Sequence, residues 1–174
     1  DQGNLVWRRE NQNDAQALQG QVLSEDMLVF EPDHPPEEEL RIIYGLDPAI
    51  EDDPEKAATE DTDFWGLAKL GHDRRDDTTY VLNIWRKRGM SLRKGISWAN
   101  AKIDGRPSDF LVEDAQAQRW FVQEAKDLGL RVRGSKSKGS KEDRIIQMAA
   151  RFESGRVRLA GQPEDWSGQR GDQA

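Results

Sequence analysis

The chain contains no cysteine, which excludes disulfides and thiolate-bound metal. It has two histidines, His34 and His72, both in polar surroundings and without the paired spacing of a zinc site. No apolar run approaches the ~18 residues that a membrane span needs, and the first residues lack a signal-peptide pattern. The expectation is a soluble, intracellular protein with no membrane partner. The phosphate-binding signature GxxxxGK[ST] is absent throughout. Hydrophobic residues make up 35% and charged residues 34% of 174 positions, so one compact core with long polar segments outside it is expected. Net charge is −7, which argues against a wholly non-specific nucleic-acid binder. The acids concentrate in residues 31–63, whereas Arg131, Arg133, Lys136, Lys138 and Lys141 form a locally basic strip that can meet a phosphate backbone.

What is present is organised around Leu40–Ala49, LRIIYGLDPA. Leu40, Ile42, Ile43, Tyr44 and Leu46 are strand-formers, Gly45 suggests a close backbone approach, and Pro48 forbids the strand from continuing. Asp47 then stands at the carboxyl end of a buried strand, where open α/β sheets place their chemistry. The alternative is a turn aspartate capping the next segment. A second short apolar strand, Phe110–Glu113, again ends in acids, Glu113 and Asp114. Two strands delivering carboxylates to one edge make a cation site suited to phosphodiester chemistry.

Along the chain, residues 1–30 read as a polar helix or extended arm with a brief strand near Met27–Phe30. A start on Asp1-Gln2-Gly3 without methionine suggests an excised or processed piece. Residues 31–39, EPDHPPEEE, read as a linker rather than a folded element. Strands are expected over 40–46, 64–71 and 79–87, with an acidic loop over 48–63 and a turn over 72–78, giving an antiparallel meander. Ser91 can cap a helix to about Lys102. Next come strand 110–113, helix 117–128 closed by Gly129, strand 130–133, a helix from Lys141 to about Phe152 capped by Ser140, and strand 157–159. Residues 160–174 are expected to fray. The six tryptophans, Trp7, Trp65, Trp85, Trp98, Trp120 and Trp166, are expected as core or interface anchors. The order β-β-β-α-β-α-β-α-β is that of an α/β, ribonuclease H-like fold: a mixed central sheet, meander first, flanked by helices.

GLDPA at 45–49, TDFWGLAKLG at 62–71, VEDAQAQ at 112–118, KEDRI at 141–145 and FESGRVRL at 152–159 together resemble the nuclease domain of the large terminase subunit of tailed double-stranded DNA viruses. The resemblance covers roughly 40–160. Residues 5–30 are similar to the connector after the motor domain in that family. The implied division is a connector arm at 1–39, a nuclease domain at 40–160 and a flexible tail at 161–174. The implied activity is a magnesium- or manganese-dependent endodeoxyribonuclease that cuts concatemeric viral DNA during genome packaging. With no GxxxxGK[ST] motif, the resemblance implies the nuclease part without its ATPase motor. Implied partners are double-stranded DNA, the motor domain, the small terminase subunit and the portal. The implied location is the host cytoplasm, transiently at the procapsid.

The resemblance assigns Asp47 and Glu113 as metal-binding carboxylates of a two-metal site. One ion would activate water and the other would stabilise the leaving 3′-oxygen. Asp114 is better placed to cap the next helix. Asp63 matches an acid the family often keeps opposite the first one; a solvated loop acid is the alternative. The family's third carboxylate opens a helix after the last strand; Asp172 could start that motif, although no helix is expected after it, and Glu164 and Asp165 are outside candidates. Independently, Lys136, Lys138, Lys141 and Arg144 are the candidate DNA contacts, against the alternative of a flexible loop with solvated lysines; RKRG at 86–89 and SLRK at 91–94 could extend that track. A non-catalytic docking or DNA-binding module, its acidic stretch facing a basic partner, and another ribonuclease H-like nuclease or resolvase are the competing readings.

Overall fold

In this computed structural model, residues 23–48, 64–103, 105, 108–113, 118–129, 132–135 and 139–167 are described. For residues 113 and 118–121 only the backbone is described. Their strands are β1 (Phe30–Glu31), β2 (Arg41–Asp47), β3 (Trp65–Asp73), β4 (Thr78–Lys87), β5 (Asp109–Glu113), β6 (Val132–Ser135) and β7 (Val157–Ala160). The helices are α1 (Leu92–Asn100), α2 (Gln118–Asp127), α3 (Lys141–Glu153) and α4 (Pro163–Ser167).

The strands form one mixed sheet in the order β1-β7-β4-β3-β2-β5-β6. β2, β3 and β4 pair antiparallel, and strict alternation in β2 and β3 buries one face of each. β5 and β6 then add in parallel beside β2, joined through α2. α3 carries the chain from β6 back to β7, which runs parallel to β4.

One sheet face carries the larger core. Tyr44, Leu46, Trp65, Leu67, Phe110 and Val112 pack there against Ile96 and Ala99 of α1 and Ala125 of α2. Trp65 is 1% exposed and Tyr44 stacks on Phe110 at 6.0 Å between ring centroids. The other face carries a smaller cluster, Val81, Val157 and Leu159, joined by Leu28, Phe30, Leu70, Phe152 and Trp166. A bulge shifts the phase of β4: Lys69 pairs with Asn83 but Leu70 with Val81, so Tyr80 and Leu82 on one side of it and Trp85 on the other all pack on the larger cluster, while Val81 faces the smaller.

At the amino ends of β2 and β5, Arg41 Nε donates to Asp109 Oδ2 at 2.9 Å, and a second guanidinium nitrogen contacts the same oxygen. The pair ties the two strands together beside the Ile43–Asp109 register point.

Several local expectations change. Met27–Phe30 is not a strand: Glu25–Met27 forms a 3-10 turn and the strand begins at Phe30. Residues 31–39 are folded. Pro36 at φ −60° leads a 3-10 turn over Glu37–Glu39, and the acids find cations on the meander, Glu37 to Lys69 at 2.7 Å and Glu39 to Arg75 at 3.0 Å. Ser91 caps α1 only through its backbone, its carbonyl accepting from Gly95 N–H, and α1 ends at Asn100. Ser140 does cap α3, in a reciprocal capping box with Asp143. The strand expected at 130–133 sits at Val132–Ser135. The expected fray after 160 contains α4, because Trp166 donates to the Ala160 carbonyl at 2.9 Å and packs on the smaller cluster. Among the tryptophans, Trp65, Trp85, Trp98 and Trp166 are core or packed against it. Trp7 and the Trp120 side chain lie outside the described residues.

Gly95 is where α1 touches the sheet. A methyl there would lie 2.4 Å from the Trp65 ring. A mid-helix glycine replaced by alanine ordinarily gains about 0.5–1 kcal/mol, but this overpacking should reverse the sign, so Gly95→Ala is expected to lose about 1–3 kcal/mol in urea unfolding. Asp109 supplies a pH test. Hydrogen bonds from Arg41 hold its carboxyl below the ordinary value of 3.8. A depressed carboxylate contributes stability that is present above its unfolded pKa and lost as pH falls through the folded one. The urea midpoint should therefore drop from about pH 4 downward, and Asp109→Asn should flatten that drop while lowering the midpoint at neutral pH; an identical acid limb in both proteins would contradict it.

Candidate active site

Pro48 stops β2 one residue after Asp47, leaving that acid exposed at the carboxyl end of a strand whose alternate residues Ile42, Tyr44 and Leu46 are buried. The parallel register Leu46–Val112, carried one residue on, sets Glu113 beside Asp47. Adjacent strands lie about 4.8 Å apart, so the two backbones approach within carboxylate reach of one ion. On the other side, Asp47 pairs with Gly66, and Gly66 with Arg86; beyond Glu113, the partner on β6 is Ser135. A single row of residues thus crosses five strands: Ser135, Glu113, Asp47, Gly66, Arg86.

In chain order after the β6 flank of this row, α3 starts at Lys141 with Arg144 on its first turn, both exposed. On the opposite flank, Arg86, Lys87 and Arg88 at the end of β4 are exposed. The guanidinium carbons of Arg86 and Arg88 stand 4.8 Å and 3.8 Å from the centroid of the Phe64 ring. Spacing alone hinted at a basic RKRG but gave no sign of Phe64, because this contact depends on the β3–β4 register.

The other sequence candidates divide. Asp47 stands at this edge, and Lys141 and Arg144 stand on the first turn of α3. The side chain of Glu113 and the whole of Asp63, Asp172, Lys136 and Lys138 lie outside the described residues. Among the described residues no group of three histidine, cysteine or acidic side chains could hold a metal. The two strand-end acids supply oxygen donors of the kind a hard divalent cation takes. His72 and the depression lined by Leu40, Arg41, Asp73 and Arg75 belong to the opposite end of β2 and β3. There the buried Asp73 is held below its ordinary pKa by hydrogen bonds from Arg75.

A mixed sheet with an antiparallel meander, parallel additions beside its first strand and acids at their carboxyl ends defines the ribonuclease H-like class. Within it, the chain is similar to the nuclease domain of the P22 large terminase, at TM-score 0.57 and 14% identity, over 83% of this chain and 73% of that one. It is also similar to the large terminase nuclease of thermophilic phage G20c, solved with bound magnesium, at TM-score 0.55 and 13% identity over 83% and 76% of the two chains. Against the large terminase of another thermophilic bacteriophage the TM-score is 0.58 at 10% identity; the match takes in 80% of this chain but spans only 33% of that protein. No family model and no curated protein matches the chain. The fold read from the sequence, that of a large terminase nuclease domain, is therefore the fold the protein has.

The basic flank after β6 gives a binding test. Lys138→Ala and Lys141→Ala should each weaken DNA binding and flatten its dependence on salt by about one unit of slope; a wild-type slope would remove this segment as a DNA contact.

Proposed function

We propose that the chain is a divalent-metal-dependent endodeoxyribonuclease, the nuclease part of a large terminase that cuts concatemeric double-stranded viral DNA during genome packaging. The observation that carries this reading is the β2–β5 register, which sets residues 47 and 113 side by side at one sheet edge. The similarity in fold to terminase nucleases, one of them solved with magnesium, supports it.

Asp47 and Glu113 would hold Mg²⁺ or Mn²⁺. The bound cation supplies Lewis-acid stabilisation of charge on the phosphodiester and its leaving oxygen. The chain's own residues do the rest. Rigid strand ends fix the acids, which reduces the reorganisation that binding a cation requires. The cationic flanks neutralise backbone phosphates and hold the duplex over the row. Asp63, as a residue that orients water, and Asp172, as the third carboxylate, complete the proposed set. The motor domain, small subunit and portal are the proposed partners, and the procapsid in the host cytoplasm is the proposed place of action.

The docking alternative relied on free acidic surface to meet a basic partner. In the described part of that surface, Glu31, Glu37 and Glu39 are engaged internally with Arg158, Lys69 and Arg75, which takes away part of its support.

Nicking of supercoiled plasmid in Mn²⁺ tests the proposal. The wild-type protein should cut, and Asp47→Ala should cut about 100-fold more slowly or worse, since even partners beyond the ligands of a metal site are worth about 10–100-fold. Equal cleavage by the two proteins would remove Asp47 from the chemistry.

A further inference from the structure

We propose that Phe64, Arg86 and Arg88 form a preorganised clamp for the DNA backbone, seated on the side of Asp47 away from the β6–α3 basic segment. The inference rests on the nuclease reading for its substrate but on separate residues for its contacts.

Three observations carry it. First, residues 86–94, RKRGMSLRK, contain five cations and no acid in a chain of net charge −7. This local excess lies at the same sheet edge as Asp47. Arg93, on α1, donates to Glu124 at 2.8 Å, and the exposed cations at the end of β4 are Arg86, Lys87 and Arg88.

Second, the register puts the clamp on the right face. Asp47 pairs with Gly66 and Gly66 with Arg86, and directly paired residues share a face. Two strand spacings separate Asp47 from Arg86, about 10 Å between backbones. With one phosphate per ~3.4 Å of rise on each strand, a neighbouring phosphate of the strand held at Asp47 falls within an arginine's reach. Gly66 leaves the intervening position without a side chain. Among the described residues, a Cβ built there would meet only the Asp47 Cβ, at 3.9 Å.

Third, the guanidinium groups are positioned before any ligand arrives. Both lie over one aromatic ring, at 4.8 Å and 3.8 Å. A guanidinium held against a ring is restricted in its rotamers, and its planar fork of N–H donors matches phosphate oxygens bidentately. Fixing a long side chain in this way lowers the ordering cost of each contact on binding. Lysine cannot reproduce the arrangement, because its ammonium is a point charge without a planar face.

Fluorescence anisotropy of a labelled duplex, titrated with the protein in EDTA over a range of NaCl concentrations, separates binding from cleavage. Arg86→Ala and Arg88→Ala should each reduce the salt slope by about 0.9, one phosphate contact apiece. Arg86→Lys and Phe64→Leu keep every charge. They should keep the wild-type slope yet weaken binding about two- to five-fold, the scale of an exposed cation–π contact. Arg74→Ala, an equal change in net charge at the far end of β3, should leave the slope unchanged. Wild-type slope and affinity in both alanine variants would overturn the clamp, whatever the plasmid assay shows. Equal losses in Arg74→Ala would overturn it too, by reducing the effect to net charge. Clamp-dependent binding without any Mn²⁺-dependent nicking would reject the nuclease reading and keep the clamp, and no duplex binding by the wild-type protein would reject both.

Discussion

The parallel pairing of β2 with β5 is the constraint on which the rest depends. Its register is set mainly by burial: Tyr44 and Leu46 on one strand and Phe110 and Val112 on the other must all enter the larger core. A slip of one residue would turn that set toward the opposite face. The exposed Arg41–Asp109 pair at the amino ends adds a charged tie to the same alignment. An apolar requirement at one level thus fixes the position of two acids at the next, since Asp47 and Glu113 each stand one residue beyond a buried neighbour.

The sheet also distributes charge. The carboxyl ends of β2 and β5 lie mid-sheet, with β6 on one side and β3 and β4 on the other. Exposed cations stand at the end of β4, on one side of the acids. An anionic polymer laid along the row from that side would meet positive and then negative groups. The acids repel it unless a cation intervenes, whereas the β4 flank attracts it. Under the proposed function, selecting a metal and holding DNA would be separate tasks assigned to separate strands. At the opposite end of β2 and β3 the charges instead neutralise one another, in the pairs Arg75–Asp73, Arg75–Glu39 and Arg41–Asp109.

Element order, most boundaries, Asp47 at a strand end and the Ser140 cap were legible from the chain, because each follows from short-range chemistry. Alternation in β2, the stop at Pro48 and the capping box are all local. The folded state of residues 31–39 was not legible, since a run of prolines and acids reads as linker until Lys69 and Arg75 supply partners, 32 and 36 residues further along the chain. The same holds for α4, a short helix kept in place by Trp166 against β7. The β4 bulge was likewise hidden, because period-2 patterning cannot show where one residue is skipped.

By itself, the amino-acid sequence determined which residues could form strands and where each strand had to stop, through side-chain branching, proline geometry and the period of its apolar positions. It also determined that two strands would end in acids and that cations would cluster after β6 and at the end of β4. Only the tertiary structure decided that the two strand ends and the β4 cations share one edge, and that Phe64 lies against two arginines. Neighbour relations between strands far apart in the chain are set by which faces pack into a common core, and that is a property of the assembled sheet rather than of any one stretch.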